Sequence, residues 1–340
     1  MTKNKEQVMR AVLCDRFGSY QDLVLSEVPR PALAEGSVRI AVHFASVSYA
    51  ISLMVAGTYQ RKMTPPFVPG TEVSGVITEC GPGVNDLKVG DRVAAIVDCG
   101  AFAEEVVIDR ATVYPVPESV PLEQAVALPL SFGTATTALK RAGELANKTV
   151  LVTGAGGALG QAAVQVASLL GARVIAMASS PEKLDAAMKV GASEGIDYST
   201  GDVVKKVKSL TEGRGADVVF DPVGGDVFAS LIRATAVEGS ILSLGFASGK
   251  IPAAPVNLLL VKNIGLQGVN FSEYVGWGKE DRRHQFSDEI QSMMRWLFQS
   301  AAEGKIRLAT PELFRFEQVT EAIDQVVQRR AVGKVALRIR

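Results

Sequence analysis

A glycine-rich segment between an apolar strand and a helix carries the clearest chemical signal in this 340-residue chain. Residues 150–160 read VLVTGAGGALG, and residues 161–170 (QAAVQVASLL) continue as a predicted helix. Glycines at such a point remove Cβ atoms where a diphosphate must approach the backbone N–H groups of a helix N-terminus. The spacing fits the register Ala155, Gly157 and Gly160, although glycine clusters also form ordinary turns. The segment therefore predicts a dinucleotide site.

The end of the next strand indicates which dinucleotide is bound. In a dinucleotide-binding unit, the group that reads the adenosine ribose lies about 20 residues beyond the glycine loop. Here the strand over 173–177 runs into ASSPEK, so its tip lacks the carboxylate with which NAD enzymes bind both ribose hydroxyls. The hydroxyls of Ser179 and Ser180, with Lys183 nearby, suit a 2′-phosphate instead. The sequence therefore predicts NADPH as the cofactor.

The order of predicted elements divides the chain into two parts. Up to about residue 125, short strands alternate with glycine and proline turns and no long helix intervenes, which predicts a small, partly closed barrel. From Leu122 onward helices alternate with strands, as in a doubly wound parallel sheet. The strands predicted in this second part are 149–153, 173–177, 217–221, 240–244 and 264–269.

The last third of the chain is expected to return to the first part. Periodicity predicts a helix over 283–303, and the strand predicted over 333–339 has the β pattern of the first half. The predicted domains are therefore 1–127 with 271–340, and 128–270. The active site is expected in the cleft between them, at the C-terminal ends of the parallel strands.

Charge and cysteine content argue against several classes of protein. Lys and Arg number 36, as do Asp and Glu, so no net field favours nucleic acid or a membrane surface as a partner. Cys14, Cys80 and Cys99 are odd in number and widely spaced, which favours a reducing compartment over a disulfide framework. Residues 1–8 (MTKNKEQV) lack the apolar core of a signal peptide, and no apolar run reaches the about 18 residues of a membrane span. We therefore predict a cytoplasmic protein.

The residues that bind zinc are too few and too scattered to form a site. A structural zinc needs four soft ligands and a catalytic zinc needs three, whereas this chain has two histidines and three cysteines. Cys99 has no partner at ligand spacing and is expected to be a small buried apolar residue. His43 lies in an alternating strand pattern, as expected of a strand residue. The prediction is that no metal is bound.

A set of ordered motifs extends over nearly the whole chain. They are 57–59 (GTY), 66–76 (PFVPGTEVSGV), 81–84 (GPGV), 89–93 (VGDRV), 100–104 (GAFAE), 129–139 (PLSFGTATTAL), the glycine loop, 191–198 (GASEGIDY), 220–225 (FDPVGG) and 333–335 (GKV). In this order they resemble the zinc-free quinone oxidoreductase branch of the medium-chain dehydrogenase/reductase superfamily. Thr71 stands where the zinc enzymes of that superfamily have a histidine. The resemblance implies an α/β protein with a GroES-like, partly open β-barrel domain and a Rossmann domain, together with NADPH and a homodimer.

The resemblance and the strand ends together indicate the cofactor contacts. The residues expected to face the diphosphate are Gly157, Ala158 and Leu159. The residues expected around the 2′-phosphate are Ser179, Ser180, Lys183 and Tyr198. The residues expected at the nicotinamide are Thr134, Gly245, Phe246 and Ala247.

The catalytic residues are harder to predict, because residues 47–53 (VSYAISL) depart from the family pattern. Ser48 replaces an asparagine, Ile51 an acid and Leu53 a tyrosine, which should make the pocket more apolar. Tyr59 matches the proposed proton donor of related enoyl thioester reductases and is the main catalytic candidate, or else a packing tyrosine. Ser48 could bind the nicotinamide ribose or the substrate oxygen, or could be a turn hydroxyl.

The predicted function is that of an NADPH-dependent, zinc-independent oxidoreductase that transfers hydride to a quinone or an α,β-unsaturated carbonyl. Two alternatives stay open. Reduction of a 2-enoyl thioester would suit Tyr59 better, and the departures in residues 47–53 leave room for an NADPH-binding protein with little catalytic activity. The segment 270–281 (NFSEYVGWGKED) is expected to form part of the substrate or dimer surface.

Overall fold

The computed structural model describes residues 8–340. Part of the signal-peptide prediction rests on residues 1–7, which lie outside the described residues. The strands are β1 (Val8–Leu13), β2 (Val24–Pro29), β3 (Ser37–Val47), β4 (Glu72–Cys80), β5 (Arg92–Ile96), β6 (Glu105–Asp109), β7 (Val113–Pro115), β8 (Thr149–Thr153), β9 (Arg173–Ala178), β10 (Glu194–Asp197), β11 (Ala216–Asp221), β12 (Thr235–Ser243), β13 (Gly265–Gly268), β14 (Glu312–Arg315) and β15 (Val335–Arg338). The helices are α1 (Tyr49–Val55), α2 (Leu122–Ala125), α3 (Pro129–Arg141), α4 (Ala158–Leu169), α5 (Pro181–Lys189), α6 (Val203–Leu210), α7 (Phe228–Ala234), α8 (Val256–Lys262), α9 (Arg283–Ala302) and α10 (Val319–Val327). Within residues 8–340, no helix has both the length and the apolar character needed to cross a membrane.

The described residues form two units. The first comprises residues up to Leu130, Ser272–Gly304 and Leu308–Arg340, and the second comprises Ser131–Phe271 and Lys305–Arg307. The short stretch Lys305–Arg307 was expected in the first domain but groups with the second unit. The reason is that the Arg307 N–H donates to the Gln165 side chain at 2.7 Å, while its guanidinium donates to the carbonyl of Lys189 at 3.2 Å.

The second unit is built on a six-stranded parallel sheet in the order β10-β9-β8-β11-β12-β13. Strand β8 (TVLVT) is buried along its whole length, as expected for a strand covered on both faces. The strand order reverses between β8 and β11, so the carboxyl ends of these two strands mark the position where such sheets bind ligands. The predicted doubly wound sheet is confirmed, and the strand predicted over 149–153 coincides with β8.

The first unit is centred on the long strand β3. On one side β3 pairs with β4, and on the other it pairs first with β6 and then with β15. All residues of β3 except His43 are buried. Strands β5, β7 and β14 complete this sheet, while β1 and β2 form a separate antiparallel pair. The pairing of β15 with β3 confirms that the C-terminal strand returns to the first part of the chain.

Strand β14 and helix α10 are among the elements of the first unit that are absent from the sequence-based prediction. Strand β14 has only four residues, and its apolar residues Leu313 and Phe314 are adjacent rather than alternating, so it has no strand-like periodicity. Helix α10 is nine residues long, and it packs against β15 and β14. By contrast, the long helix predicted over 283–303 is observed as α9.

An ion pair is buried at the junction of β4 and β15. Glu72 is fully buried, and its Oε2 accepts hydrogen bonds from Lys334 Nζ at 2.7 Å and Ser46 Oγ at 2.6 Å. Its Oε1 accepts the N–H of Leu130 at 2.7 Å. Because both carboxylate oxygens have donors, the charge is compensated inside the unit. The pair joins the segment before β15 to the first residue of β4.

We expect Lys334→Met to lower the free energy of unfolding by about 3–5 kcal/mol, because it leaves the Glu72 carboxylate buried without its cation. Chemical denaturation measures this loss. The matched control is Lys88→Met at an exposed lysine, for which the change should stay within about 0.5 kcal/mol. Equal stability of the two variants would show that the pair contributes nothing to the fold.

Candidate dinucleotide and catalytic sites

The glycine loop leaves β8 in a tight turn directly below α4. Gly154 has a positive φ of 60°, and its carbonyl accepts the N–H of Gly157 at 3.0 Å. The N–H of Ala155 donates to the carbonyl of Met177 in β9 at 3.1 Å. A Cβ at Gly160 would lie 2.2 Å from the Gly154 carbonyl oxygen, so a side chain there would force the helix away from the loop.

The N-terminus of α4 is suited to an anion. Gly157 is its N-cap residue, and the first-turn N–H groups of Ala158 and Leu159 have no carbonyl acceptor within the helix. All three residues are partly exposed. A Cβ on Gly157 would meet only the carbonyl oxygen of Gly154, at 3.6 Å, so this side of the loop is open. Donor groups and the positive end of the helix dipole therefore face a space that a diphosphate could fill.

The predicted 2′-phosphate residues lie together beside this loop. Ser180 is the N-cap of α5, and its hydroxyl accepts the N–H of Lys183 at 3.4 Å. A Cβ on Gly156 would lie 2.4 Å from the Lys183 Cβ, which means that the lysine stem rests against the loop. Ser179, at the end of β9, is exposed. Two hydroxyls and one cation thus stand at the strand tip that lacks a carboxylate.

Tyr198 belongs to the same edge of the sheet. Its N–H donates to the carbonyl of Ala178 at 3.2 Å, and its side chain is 38% exposed. Just beyond it, the hydroxyl of Ser199 donates to the Asp197 carboxylate at 2.6 Å, and hydrogen bonds from Ser199 hold the pKa of Asp197 below its usual value. Lys206 donates to the carbonyl of Asp197 at 2.8 Å. Ser199 and Lys206 therefore order the loop that carries Tyr198.

A buried carboxylate joins the two strands at which the strand order reverses. Asp221 is fully buried at the end of β11 and accepts a hydrogen bond of 2.5 Å from the hydroxyl of Thr153, the last residue of β8. It also accepts the N–H groups of Val223 at 3.0 Å and Gly224 at 3.2 Å. All these donors belong to the protein, so Asp221 stabilises the loop after β11.

Three of the four predicted nicotinamide residues lie in one turn. Gly245, Phe246 and Ala247 follow β12, and the N–H of Ala247 donates to the carbonyl of Pro222 at 3.1 Å, which ties this turn to the loop after β11. The ring of Phe246 is 41% exposed. Thr134 lies on α3 and is partly exposed.

Helix α1 carries Ser48 at its start. Ser48 is the N-cap residue of α1, but its hydroxyl makes no hydrogen bond to the N–H groups of the first turn. Capping of the helix therefore does not engage this hydroxyl. Ile51 was expected to make an open pocket more apolar. It is instead fully buried in the core of the first unit, because it lies on the side of α1 that faces inward. Leu53 is partly exposed.

Tyr59 follows the other end of α1. Gly57, with a φ of 69°, ends the helix, and its N–H donates to the carbonyl of Met54 at 3.1 Å. The N–H groups of Thr58 and Tyr59 both donate to the carbonyl of Leu53, at 2.9 and 3.1 Å. This is a Schellman termination, which requires a residue that accepts a positive φ. The backbone of Tyr59 is therefore fixed to the helix, and Tyr59 and Ser48 lie at opposite ends of α1.

The Tyr59 hydroxyl has polar neighbours that the sequence did not indicate. Its ring packs against the core of the first unit, while its hydroxyl lies near the side chains of Ser272 and Arg61. Burial raises the pKa of Tyr59, and the Ser272 and Arg61 side chains oppose that rise. The phenol is consequently protonated at neutral pH and able to donate a proton. Ser272 lies far along the chain, in a segment to which sequence reasoning assigned only a surface role.

The described residues offer no obvious metal ligands. Across residues 8–340, no group of three or more His, Cys, Asp or Glu side chains is arranged to hold a metal ion. The Cys99 thiol donates to the carbonyl of Val68 at 2.6 Å, and burial raises the pKa of Cys99 to about 12. Cys99 therefore stays protonated, unlike the thiolates that bind zinc.

Comparisons with known proteins agree with this architecture. The family model described as alcohol dehydrogenase GroES-like domain matches residues 34–118, and the one described as zinc-binding dehydrogenase matches residues 158–296. Quinone oxidoreductase-like protein 2 of Rattus norvegicus is 40% identical over 334 residues, which cover 97% of this chain and 92% of the relative. The solved quinone oxidoreductase of Thermus thermophilus is 33% identical to this chain, with a TM-score of 0.83. The match covers 97% of this chain and 100% of that one, and the Thermus thermophilus enzyme has also been solved in its complex with NADPH. The quinone oxidoreductase of Pseudomonas syringae pv. tomato is 28% identical with a TM-score of 0.88, over the same shares.

The fold and these matches define a medium-chain dehydrogenase/reductase with a GroES-like domain and a Rossmann-like domain, as predicted. Within this superfamily of oxidoreductases, the chain belongs to the zinc-free quinone oxidoreductase family.

Two glycine substitutions should have different effects on stability. Gly160→Ala places a methyl group against the Gly154 carbonyl and should cost about 1–3 kcal/mol of unfolding free energy. Gly157→Ala meets open space, and the φ of −86° at Gly157 suits alanine, so its cost should be about 1 kcal/mol or less. Thermal unfolding without added ligand measures both. If Gly157→Ala were the less stable variant, the assigned roles of the two glycines would be wrong.

Proposed function

We propose that this protein is an NADPH-dependent reductase that transfers hydride to a quinone or an α,β-unsaturated carbonyl. The observation that carries the proposal is the group at the tip of β9, where Ser179, Ser180 and Lys183 stand beside the glycine loop in place of a carboxylate. A solved relative from Thermus thermophilus has been studied as its complex with NADPH. The family is one of oxidoreductases, and the cofactor and acceptor are the parts proposed here.

The donor set of the second unit fits NADPH. The open face of Gly157 and the first-turn N–H groups of Ala158 and Leu159 would bind the diphosphate. Lys183 would pair with the 2′-phosphate, with which the serine hydroxyls and the exposed Tyr198 would also interact. When bound, the reduced nicotinamide supplies the hydride. Gly245, Phe246, Ala247 and Thr134 are proposed to line its ring.

The first unit would supply the proton. Reduction of a quinone or enone leaves negative charge on oxygen, which a proton donor must neutralise. Because burial keeps the Tyr59 phenol protonated, Tyr59 is the proposed donor. The hydroxyl of Ser48 does not cap α1. It is proposed to bind the substrate oxygen or the nicotinamide ribose.

Stopped-flow oxidation of NADPH, measured with a panel of quinones, enones and 2-enoyl thioesters, tests the proposal. We expect turnover with quinones or enones. Turnover with enoyl thioesters alone would favour the thioester reductase, for which the protonated Tyr59 is the supporting observation. Micromolar binding of NADPH without oxidation by any acceptor would contradict both enzymatic functions and leave a binding protein.

The cofactor preference should change at Ser180. In Ser180→Asp, a carboxylate would repel the 2′-phosphate, and we expect kcat/KM for NADPH to fall at least about tenfold relative to NADH, a change of about 1.4 kcal/mol. Ser180→Asn is the matched control, since Asn and Asp cap helices equally well and only Asp adds charge. Steady-state kinetics with both cofactors measures the ratio. The same NADPH preference in both variants would mean that the phosphate binds elsewhere.

We also propose that the protein is a homodimer. Strand β13 is the last strand of the parallel sheet, so its outer edge is available to another strand. Helix α8, which precedes β13 in the chain and packs against the neighbouring strand β12, exposes Val256, Leu260 and Val261 to 69%, 77% and 76%. Aliphatic side chains exposed together next to a sheet edge are typical of a subunit interface. The cytoplasmic location inferred from cysteine content stays a prediction.

The double variant Leu260→Asp/Val261→Asp should be monomeric, because two carboxylates would have to be buried at the proposed interface. Light scattering after size-exclusion chromatography measures the molar mass. Val89→Asp, at a valine of the first unit that is 62% exposed, is the control and should remain dimeric. A dimer in the double variant would exclude this surface, and a monomeric wild type would exclude the dimer.

A further inference from the structure

A carboxylate stands one strand away from the tip of β9. In the parallel pairing of β10 with β9, Asp197 is the register partner of Ala178, the last residue of β9. Register partners in adjacent strands lie about 4.8 Å apart and direct their side chains to the same face of the sheet. Asp197 is half-buried. The strand end proposed to receive the 2′-phosphate therefore has an acidic residue beside it.

An acidic residue at this position opposes the binding of a phosphate. A phosphate monoester carries about two negative charges at neutral pH, and like charges at such short range repel each other. NADH has a hydroxyl in place of this phosphate. The charge of Asp197 should therefore favour NADH, against the preference that Ser179, Ser180 and Lys183 indicate. Selectivity for NADPH requires that this charge be held in place and compensated.

Ser199 holds the Asp197 carboxylate in place. Its backbone N–H and its hydroxyl both donate to Oδ1 of Asp197, at 2.8 and 2.6 Å. This is an Asx turn, which aspartate favours where a strand passes into a loop. Between the two residues, the N–H of Tyr198 continues the pairing with β9 through the carbonyl of Ala178, at 3.2 Å. The turn that orients the carboxylate is thus the turn that carries Tyr198.

Lys206 brings a positive charge to the same turn from helix α6. Its Nζ donates to the carbonyl of Asp197 at 2.8 Å and to the hydroxyl of Thr200 at 3.1 Å, and it also donates to the Thr200 carbonyl. Both ends of the turn are therefore fastened to one ammonium group. The Ser199 hydroxyl and, to a smaller extent, the Lys206 charge hold the pKa of Asp197 below its usual value. The nearby Asp202 carboxylate is engaged by the first-turn N–H groups of α6.

We propose that Lys206 is a positioning residue that determines the preference for NADPH, because it compensates the charge of Asp197 and fixes the turn that carries Tyr198. This inference rests on the proposed function. The hydrogen bonds of Lys206 are made to the turn, whereas Lys183 is the cation proposed to pair with the phosphate. A lysine on the following helix thus makes an acidic strand end compatible with an anionic ligand.

The test compares Lys206→Met with Lys205→Met. Both variants remove one positive charge from the first turn of α6, but Lys205 is exposed and Lys206 is half-buried against the turn.

We expect the Kd of Lys206→Met for NADPH to rise about three- to tenfold, while its Kd for NADH changes less than about twofold. Lys205→Met should keep the wild-type ratio of the two Kd values. Isothermal titration calorimetry measures each Kd without turnover. Equal weakening of both cofactors in Lys206→Met would reduce Lys206 to a structural role and overturn the inference.

Asp197→Asn tests the compensation directly and serves as a second variant in case Lys206→Met folds poorly. The amide oxygen of asparagine can still accept both hydrogen bonds from Ser199, while the negative charge is lost. We expect the preference for NADPH over NADH to increase about two- to fivefold. In the Asp197→Asn background, Lys206→Met should cost less NADPH affinity than in the wild type, because the two substitutions remove interacting charges. An unchanged preference in Asp197→Asn would contradict the proposal, as would an equal effect of Lys206→Met in both backgrounds.

Ionic strength separates an electrostatic role from a purely structural one. Because salt screens charges near the surface, the difference in NADPH affinity between Lys206→Met and the wild type should shrink as the salt concentration is raised. A difference that does not depend on salt would count against the proposal.

The wild-type affinities distinguish failure of this inference from failure of the proposed function. If the wild type binds NADH as tightly as NADPH, the NADPH part of the proposed function is wrong, and the ratio of Kd values in Lys206→Met still decides the role of Lys206. If the wild type binds neither dinucleotide, both proposals are wrong.

Discussion

The close approach of α4 to the loop that leaves β8 is the constraint on which the cofactor half of the protein depends. Because Gly160 has no Cβ, the helix begins directly above the Gly154 carbonyl, and its first N–H groups face the open side of Gly157. Gly156 allows a similar close approach on the side of α5, because the absence of a side chain at this position leaves room for the stem of Lys183. The absence of side chains at a few positions thus brings donors and a cation to one place.

The second unit was largely predictable because its signals are local. Strands such as β8 are continuous apolar runs, the helices between them show clear periodicity, and the loop residues have fixed offsets from the strand ends. In the first unit the strands are short and their partners are distant in sequence. The return of β15 to the first unit could be inferred from its β pattern, whereas β14 is too short to show a period. Helix α10 does have a helical period, with Val319, Ala322 and Ile323 on its buried face, and could have been predicted from it.

The same distinction applies to the candidate sites. Ser180 and Lys183 were found by counting from the glycine loop, and they lie together because the N-terminus of α5 holds both. Ser272 could not be found in this way, because its proximity to Tyr59 depends on a fold that joins two distant segments. Ile51 illustrates the opposite error, since the residue that replaces a family acid packs into the core rather than toward a ligand.

Strand β15 lies inside its sheet, between β14 and β3, although residues 335–338 follow the whole second unit in the chain. During synthesis, residues 131–271 are complete and able to fold while half of one β3 edge still waits for its neighbour. An open edge of this kind can pair with other chains. The first unit is therefore the part of the nascent protein that stays accessible to chaperones, and vulnerable to aggregation, for the longest time.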